Sequence, residues 1–352
     1  MFQYKTFIFV FILFFSSYNC KESEILKPMS NGKYSLDIGS NLWNSSKDCE
    51  RCHKSIYKNH QKSAHANSWK DPIFLEAFQK EPKQWCMNCH APLHAFESNF
   101  NFKTVFFYQS SNELWTEGVN CAVCHVRGNV IFGKQTRNDI KDHKVLSDKS
   151  FSDNTLCQNC HQFNFPKFHS PEIEYTNVLM QETSSEAETF FSYIYGSNLC
   201  VNCHLKSEHR LNGTVFDLDW IDNWKVSVST HEIGNGYGVN LSLKYPKMGH
   251  KFPTGDLFRS LIFRVYDQNQ KMIMEERFEK KIRILDLYEV RDTRLSPFVK
   301  TEISKTFFVK QYPFDCELVY HLQYPIEHEL KNKFQYNEIH RSIFRGKCTA
   351  KK

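Results

Sequence analysis

The run C-x-x-C-H occurs five times in this chain, as CERCH (Cys49–His53), CMNCH (Cys86–His90), CAVCH (Cys121–His125), CQNCH (Cys157–His161) and CVNCH (Cys200–His204). At this content of Cys and His, chance would supply roughly 0.02 such runs, so the repetition is itself the signal. Successive motifs start 35 to 43 residues apart, with little regular apolar periodicity between them. A segment of that texture cannot close over an ordinary hydrophobic core and must fold around whatever its motifs hold.

Each residue of the motif has a chemical task. Thiols at i and i+3 and an imidazole at i+4 share one face of a helical turn, so all three can address one flat ring. That is the requirement for c-type haem, whose two vinyl groups are attacked by the thiols while the imidazole takes the iron from below. Structural zinc would not need a histidine after every cysteine pair, and a redox dithiol would occur once, beside a βαβ pattern. The expectation is five covalently attached haem c groups. They are bound by Cys49 and Cys52, Cys86 and Cys89, Cys121 and Cys124, Cys157 and Cys160, and Cys200 and Cys203, with His53, His90, His125, His161 and His204 as proximal iron ligands.

Covalent haem of this kind is attached outside the bacterial cytoplasm, and the N-terminus fits export. MFQYKTFIFVFILFFSSYNC has an early lysine, an apolar run from Phe7 to Phe15 too short to span a bilayer, and a small, polar end. Residues 1–19 are expected to be a signal peptide. SSYNC resembles a loose lipobox of the kind seen in spirochaetes, departing from the common pattern at Tyr18 and Asn19. Acylation of Cys20 would make the protein a membrane-anchored lipoprotein of the periplasm, with residues 20–46 as a tether. A plain cleaved signal is the alternative.

Of thirteen cysteines, ten belong to the motifs and one is Cys20, leaving Cys316 and Cys348. In an oxidising compartment the expectation is one disulfide pinning the C-terminal tail to a strand, the alternative being two unpaired thiols. The formal charge of +6 gives no reason to expect nucleic acid, because haem brings carboxylates of its own. The anticipated partners are redox proteins or electron-transfer components of the membrane.

The texture changes near residues 213–222. Beyond it, WKVSVSTHEI, YGVNLSLKYP, LFRSLIFRVYD, KTFFVKQ and CELVYHLQY alternate in strand fashion, rich in β-branched and aromatic residues. The fold class expected is an α-helical and irregular pentahaem cytochrome c domain over 47–215, followed by an antiparallel β-sandwich over 216–352.

Further motifs lie around the haem sites: CxxCHxxxYxxxxxSxHA over Cys49–Ala66, CHAPL at Cys89–Leu93, GVNCAVCHV at Gly118–Val126, DHKV followed by CQNCHQF over Asp142–Phe163, CVNCHL and HRLNG over Cys200–Gly213, and GHKFPTG at Gly249–Gly255. In this order they resemble the multihaem cytochrome c superfamily that includes the nitrifier tetrahaem cytochromes and hydroxylamine oxidoreductase, over about residues 45–265. GHKFPTG resembles a segment of β-domains appended to such cytochromes. His60 is a departure, since relatives often carry Trp there. The resemblance implies His65, His143, His209 and His250 as distal iron ligands; for the fifth place His94 is the candidate, the weakest of the set, with His60 and His169 competing for it.

A helix capped by Asp48 and running through about Ala66 would put His65 about 18 Å along the axis from His53, so His65 is expected to serve a neighbouring haem. If every sixth position is filled, the protein moves electrons through low-potential bis-His haems and turns over no substrate of its own. The alternative is a reductase or oxidoreductase of nitrite, hydroxylamine or a sulfur oxyanion at one open iron. Against it, the chain has no C-x-x-C-K motif.

Overall fold

The computed structural model describes residues 44–349, apart from 81, 94–113, 128–129, 168–173, 195–199, 206–208, 212–222, 246–247, 256, 258, 284, 298–301 and 323–339. The expected signal peptide, Cys20, most of the tether, His94 and His169 lie outside the described residues, as does nearly all of the expected domain boundary. The described chain has a helical and irregular N-terminal region and a C-terminal region rich in antiparallel strands.

The helices are α1 (Ser46–Glu50), α2 (Lys54–Gln61), α3 (Pro72–Lys80), α4 (Gln84–His90), α5 (Cys121–His125), α6 (Ser150–Asp153), α7 (Thr155–His161), α8 (Thr183–Ile194) and α9 (Val201–His204). Each haem motif occupies or borders one short helical turn. The helix expected from Asp48 to Ala66 is not continuous. Ser45, not Asp48, is the cap: its Oγ accepts the Lys47 N–H while Asp48 reaches back to the Ser45 N–H, a capping box. The chain then breaks at His53, whose φ of −104° and ψ of 46° are not helical, and α2 stops at Gln61. His65 therefore sits in a turn beyond the helix, not on the axis that carries His53.

Short strands also appear where only helix and irregular chain were expected. β1 (Val126–Arg127), β2 (Val130–Gly133) and β3 (Val145–Ser147) make one small sheet, and β4 (Phe163–Pro166) pairs with β5 (Tyr175–Gln181). Apolar packing in this region is limited to small clusters, such as Trp69, Phe78, Met87 and Ala91, or Leu93, Val119, Ala122, Val123 and Val126.

The C-terminal region contains β6 (Lys225–Ile233), β7 (Gly236–Lys244), β8 (Ser260–Tyr266), β9 (Met272–Phe278), β10 (Lys280–Arg283), β11 (Tyr288–Asp292), β12 (Glu302–Val309), β13 (Asp315–His321) and β14 (His340–Lys347). Sheets ordered β12-β7-β6 and β14-β13-β8-β9 contribute to one apolar cluster. Period-2 alternation supplies it: Val226 and Val228 from β6, Val239, Leu241 and Leu243 from β7, Leu261, Phe263 and Val265 from β8, and Cys316, Leu318 and Tyr320 from β13, all buried. Each such side chain contributes about 1.5–3 kcal/mol of burial, so this region holds itself together by ordinary hydrophobic means. Cys316 and Cys348 form a disulfide that ties the end of β14 to β13, at a Cα–Cα distance of 5.0 Å. Among the described residues no helix is long and apolar enough to cross a membrane.

Candidate metal centres

Among the described residues, four of the five motif histidines face a second imidazole. Ring centroids are 6.1 Å apart for His53 and His143, 6.1 Å for His65 and His161, 6.0 Å for His125 and His209, and 6.3 Å for His204 and His250. A ring nitrogen lies about 1.1 Å from its centroid and binds a transition metal at about 2 Å, so two imidazoles on opposite sides of one ion have centroids about 6.2 Å apart. All four pairs have room for one iron and little more, and the motif cysteines beside them are outside any disulfide. The donor set fits haem. His65, expected to serve a neighbouring haem, faces His161 of the fourth motif.

The environment keeps these rings in their ligating form. Burial first, and then the neighbouring imidazole of His161, lowers His65 to about 3, and burial lowers His250 to about 4. Burial likewise lowers His125. Neutral imidazole is the form that binds a metal. Backbone carbonyls fix the tautomer: Nδ1–H of His90 donates to Ser68 O at 3.1 Å, of His125 to Phe132 O at 2.8 Å and of His250 to Lys251 O at 2.9 Å. Nε2 is thereby left for metal, and the bond makes the imidazole a stronger donor. Phe74 lies flat on the His90 ring at 3.8 Å and Phe151 on the His125 ring at 5.0 Å, which limits how each ring can turn.

Polar bridges set one motif against another. Glu117 accepts from Ser45 Oγ at 2.6 Å, from the Ser46 N–H at 2.8 Å and from Asn120 Nδ2 at 2.9 Å, while Asn120 Oδ1 caps α5. This ties α1, which carries Cys49, to α5, which carries the third motif. Asn154, in the left-handed region at φ 65°, starts α7 and accepts the Cys200 N–H at 2.8 Å, joining the fourth motif to the fifth. Ser68 Oγ touches both His65 O at 2.8 Å and His90 O at 2.9 Å. Cys49 lies beside Cys121, and Cys157 beside Cys200.

Gly118 passes through this last junction at φ 65°, where an added Cβ would lie 2.6 Å from His65 O and 2.7 Å from Ser68 Oγ. Gly118→Ala is expected to destabilise the holoprotein by at least about 2 kcal/mol, since the left-handed conformation alone costs an L-residue about 1–2 kcal/mol. Chemical denaturation followed by circular dichroism measures it. A loss below about 0.5 kcal/mol would mean the junction yields easily.

His60 is buried and its Nε2–H donates to Val119 O at 3.0 Å, so it braces α2 against the strand of chain entering the third motif. That bond engages Nε2, while the buried Nδ1 has no hydrogen-bond partner among the described residues. His143 and His209 pair with motifs distant in sequence, and His209 does so from φ 69°, uncommon for a residue with a side chain. Sequence reasoning missed Ser68, Glu117 and Asn154, which are polar residues beside motifs with no local signature of their own.

Residues 48–126 match the model of the family described as cytochrome c554 and c-prime. No curated protein sequence matches the chain. Among solved structures it is similar to a penta-heme cytochrome c552 from Thermochromatium tepidum, with a TM-score of 0.63 and 18% identity over 86% of this chain and 98% of that one. At that identity the likeness speaks for the fold, and together with the family segment it gives the chain the fold of a multihaem c-type cytochrome.

Proposed function

We propose that this is an exported, periplasmic pentahaem cytochrome c that passes electrons along its haems and has no substrate turnover of its own. The carrying observation is the set of four imidazole pairs, each spaced for one iron. In this reading His53 and His143, His161 and His65, His125 and His209, and His204 and His250 are axial pairs, with His90 and the distal candidate His94 completing the set. Haem bound at these sites would take up and release one electron per iron, at a lower potential than with a methionine ligand. The chain's own part is to place an imidazole on both sides of each iron, deny small anions a coordination site, and hold the sites together. Cys49 lies beside Cys121 and Cys157 beside Cys200, so in this reading the first site neighbours the third and the fourth the fifth. Ser68 joins His90 of the second to His65 of the fourth. Such adjacency suits conduction.

The same reading takes the two C-terminal sheets as a sandwich occupying 216–352, Cys20 as a lipidated first residue of the mature protein, and redox proteins or membrane components as partners. The ferric wild-type protein is expected to exchange electrons with a small redox dye yet show no shift of its absorption spectrum with cyanide or nitrite. An electron paramagnetic resonance spectrum should contain no high-spin iron. Ligand binding together with turnover of nitrite or hydroxylamine would replace the carrier reading with the reductase one.

A further inference from the structure

Two histidines of the C-terminal region stand directly opposite each other on neighbouring strands, His321 at the end of β13 and His340 at the start of β14. They are far in sequence from the haem motifs. Their Nδ1 atoms are 2.9 Å apart, and their ring centroids are 4.5 Å apart at an interplanar angle of 31°. Two imidazoles meeting head-on in a linear N–H···N bond of about 2.9 Å would have centroids about 5.1 Å apart, a ring radius of about 1.1 Å being added at each end. The observed rings are closer than that, so their nitrogen axes are not collinear, and the spacing fits axes that converge on a point beside the line joining them.

The two distances fit an ion at that point. Two imidazoles bound in cis at about 90° to one ion, with bonds of about 2.0–2.1 Å, have nitrogens about 2.9 Å apart and centroids about 4.5 Å apart. A tetrahedral ion would open the same distances to about 3.3 and 5.1 Å. We propose that His321 and His340 form a cross-strand chelate for a divalent transition ion of tetragonal preference, Cu(II) foremost. Imidazole suits copper, nickel and zinc, a right angle favours Cu(II) or Ni(II) over zinc, and Cu(II) binds the tightest of the divalent series. Antiparallel pairing fixes the two Cβ atoms and so presets the chelate.

The charges that act on His340 are paired with one another. Arg264 and Arg277 on β8 and β9 are neutralised by Glu275 and Glu317, through contacts of 2.8 Å (Arg264 to Glu275), 3.2 Å (Arg264 to Glu317) and 2.6 Å (Arg277 to Glu275). His321 is buried while His340 is half-buried, which gives an ion one side of approach. Among the described residues no group of three or more His, Cys, Asp and Glu side chains could hold a metal ion, so the chelate consists of these two imidazoles.

Holoprotein dialysed against a chelator and titrated with a Cu(II) salt is expected to bind one equivalent beyond the haem iron. His321→Ala and His340→Ala should each weaken that binding at least about 100-fold, since even an outer-shell partner is worth about 10–100-fold in metal affinity. His340→Gln keeps a hydrogen-bonding side chain opposite His321 but has no second imidazole. It should therefore hold its Tm without metal and lose the rise in Tm that Cu(II) gives the wild type. His231→Ala, at an exposed position on β6, should bind Cu(II) as the wild type does. No bound equivalent in the wild type, or equal affinity in the wild type and the His321 and His340 variants, would overturn the chelate and leave an N–H···N hydrogen bond.

Discussion

Replacing His250 by alanine is expected to turn one haem of the holoprotein from low-spin to high-spin while every covalent haem stays in place. The His250 ring faces His204 across 6.3 Å and is held there by its Nδ1–H bond to Lys251 O. Alanine deletes the distal nitrogen without touching Cys200 or Cys203, so the intact mass should fall only by the side-chain difference. One iron in five would then accept cyanide, and the shift should saturate at one ligand per protein. The spectrum offers a second mark. The His204 and His250 planes are within 5° of parallel, whereas the other three pairs are crossed by 43° to 46°. Parallel imidazoles act on the same iron d orbital and split the degenerate pair most, so this haem should give the most rhombic low-spin signal, and that signal alone should vanish. An unchanged spectrum in the variant would make His250 a structural residue of its loop and break the proposed link between the strand-rich region and the fifth haem.

How much of this was legible in the chain follows from the range of the interactions involved. C-x-x-C-H is a local device, complete within five residues, and needs no tertiary context to be read. The strands of the C-terminal core were legible for the same reason: β6 and β7 alternate apolar with polar residues, and β8, β12 and β13 are runs rich in β-branched, aromatic and aliphatic side chains. β9 and β14 were not. They are the edges of their sheet, and MIMEERF and HRSIFRGK mix charge into the pattern as edge strands do. The histidine pairs lie at the other extreme. His65 and His161, or His53 and His143, meet only when distant segments fold together, and composition cannot say which meets which. Resemblance supplied the distal residues but not their partners. The helix break at His53 escaped because neither Gly nor Pro marks it and the turn between α1 and α2 belongs to the haem motif.

Arg294→Met is expected to destabilise the protein by about 3–5 kcal/mol, the range for removing one partner of a buried ion pair. Only 5% of the Arg294 side chain is exposed, and its Nη2 lies 2.7 Å from Glu182, 2.7 Å from Glu186 and 2.8 Å from Asp292. Asp292 would keep Lys251 at 2.7 Å and Glu182 would keep Lys280 at 2.8 Å. Glu186, on α8, would be left with weaker bonds from the Lys251 N–H and from Thr254 Oγ1, both at 3.3 Å. Burial already raises Glu186 to about 7 despite Arg294, whose charge pulls the other way. A raised carboxyl favours the protonated native state, so its contribution is complete below its unfolded value near 4.5 and is lost as pH rises toward about 7. Without Arg294 the folded value climbs further and the loss extends to higher pH. The deficit of Arg294→Met should therefore be larger at pH 8 than at pH 5, and adding Glu186→Gln should flatten that difference. Denaturation of the holoproteins at the two pH values measures both effects. Because Glu186 and Thr254 brace the loop that presents His250, the single variant should also show partial high-spin iron at pH 8. A deficit that is small, or the same at both pH values, would mean that the loop stands without its ion cluster and that His250 is placed by packing alone.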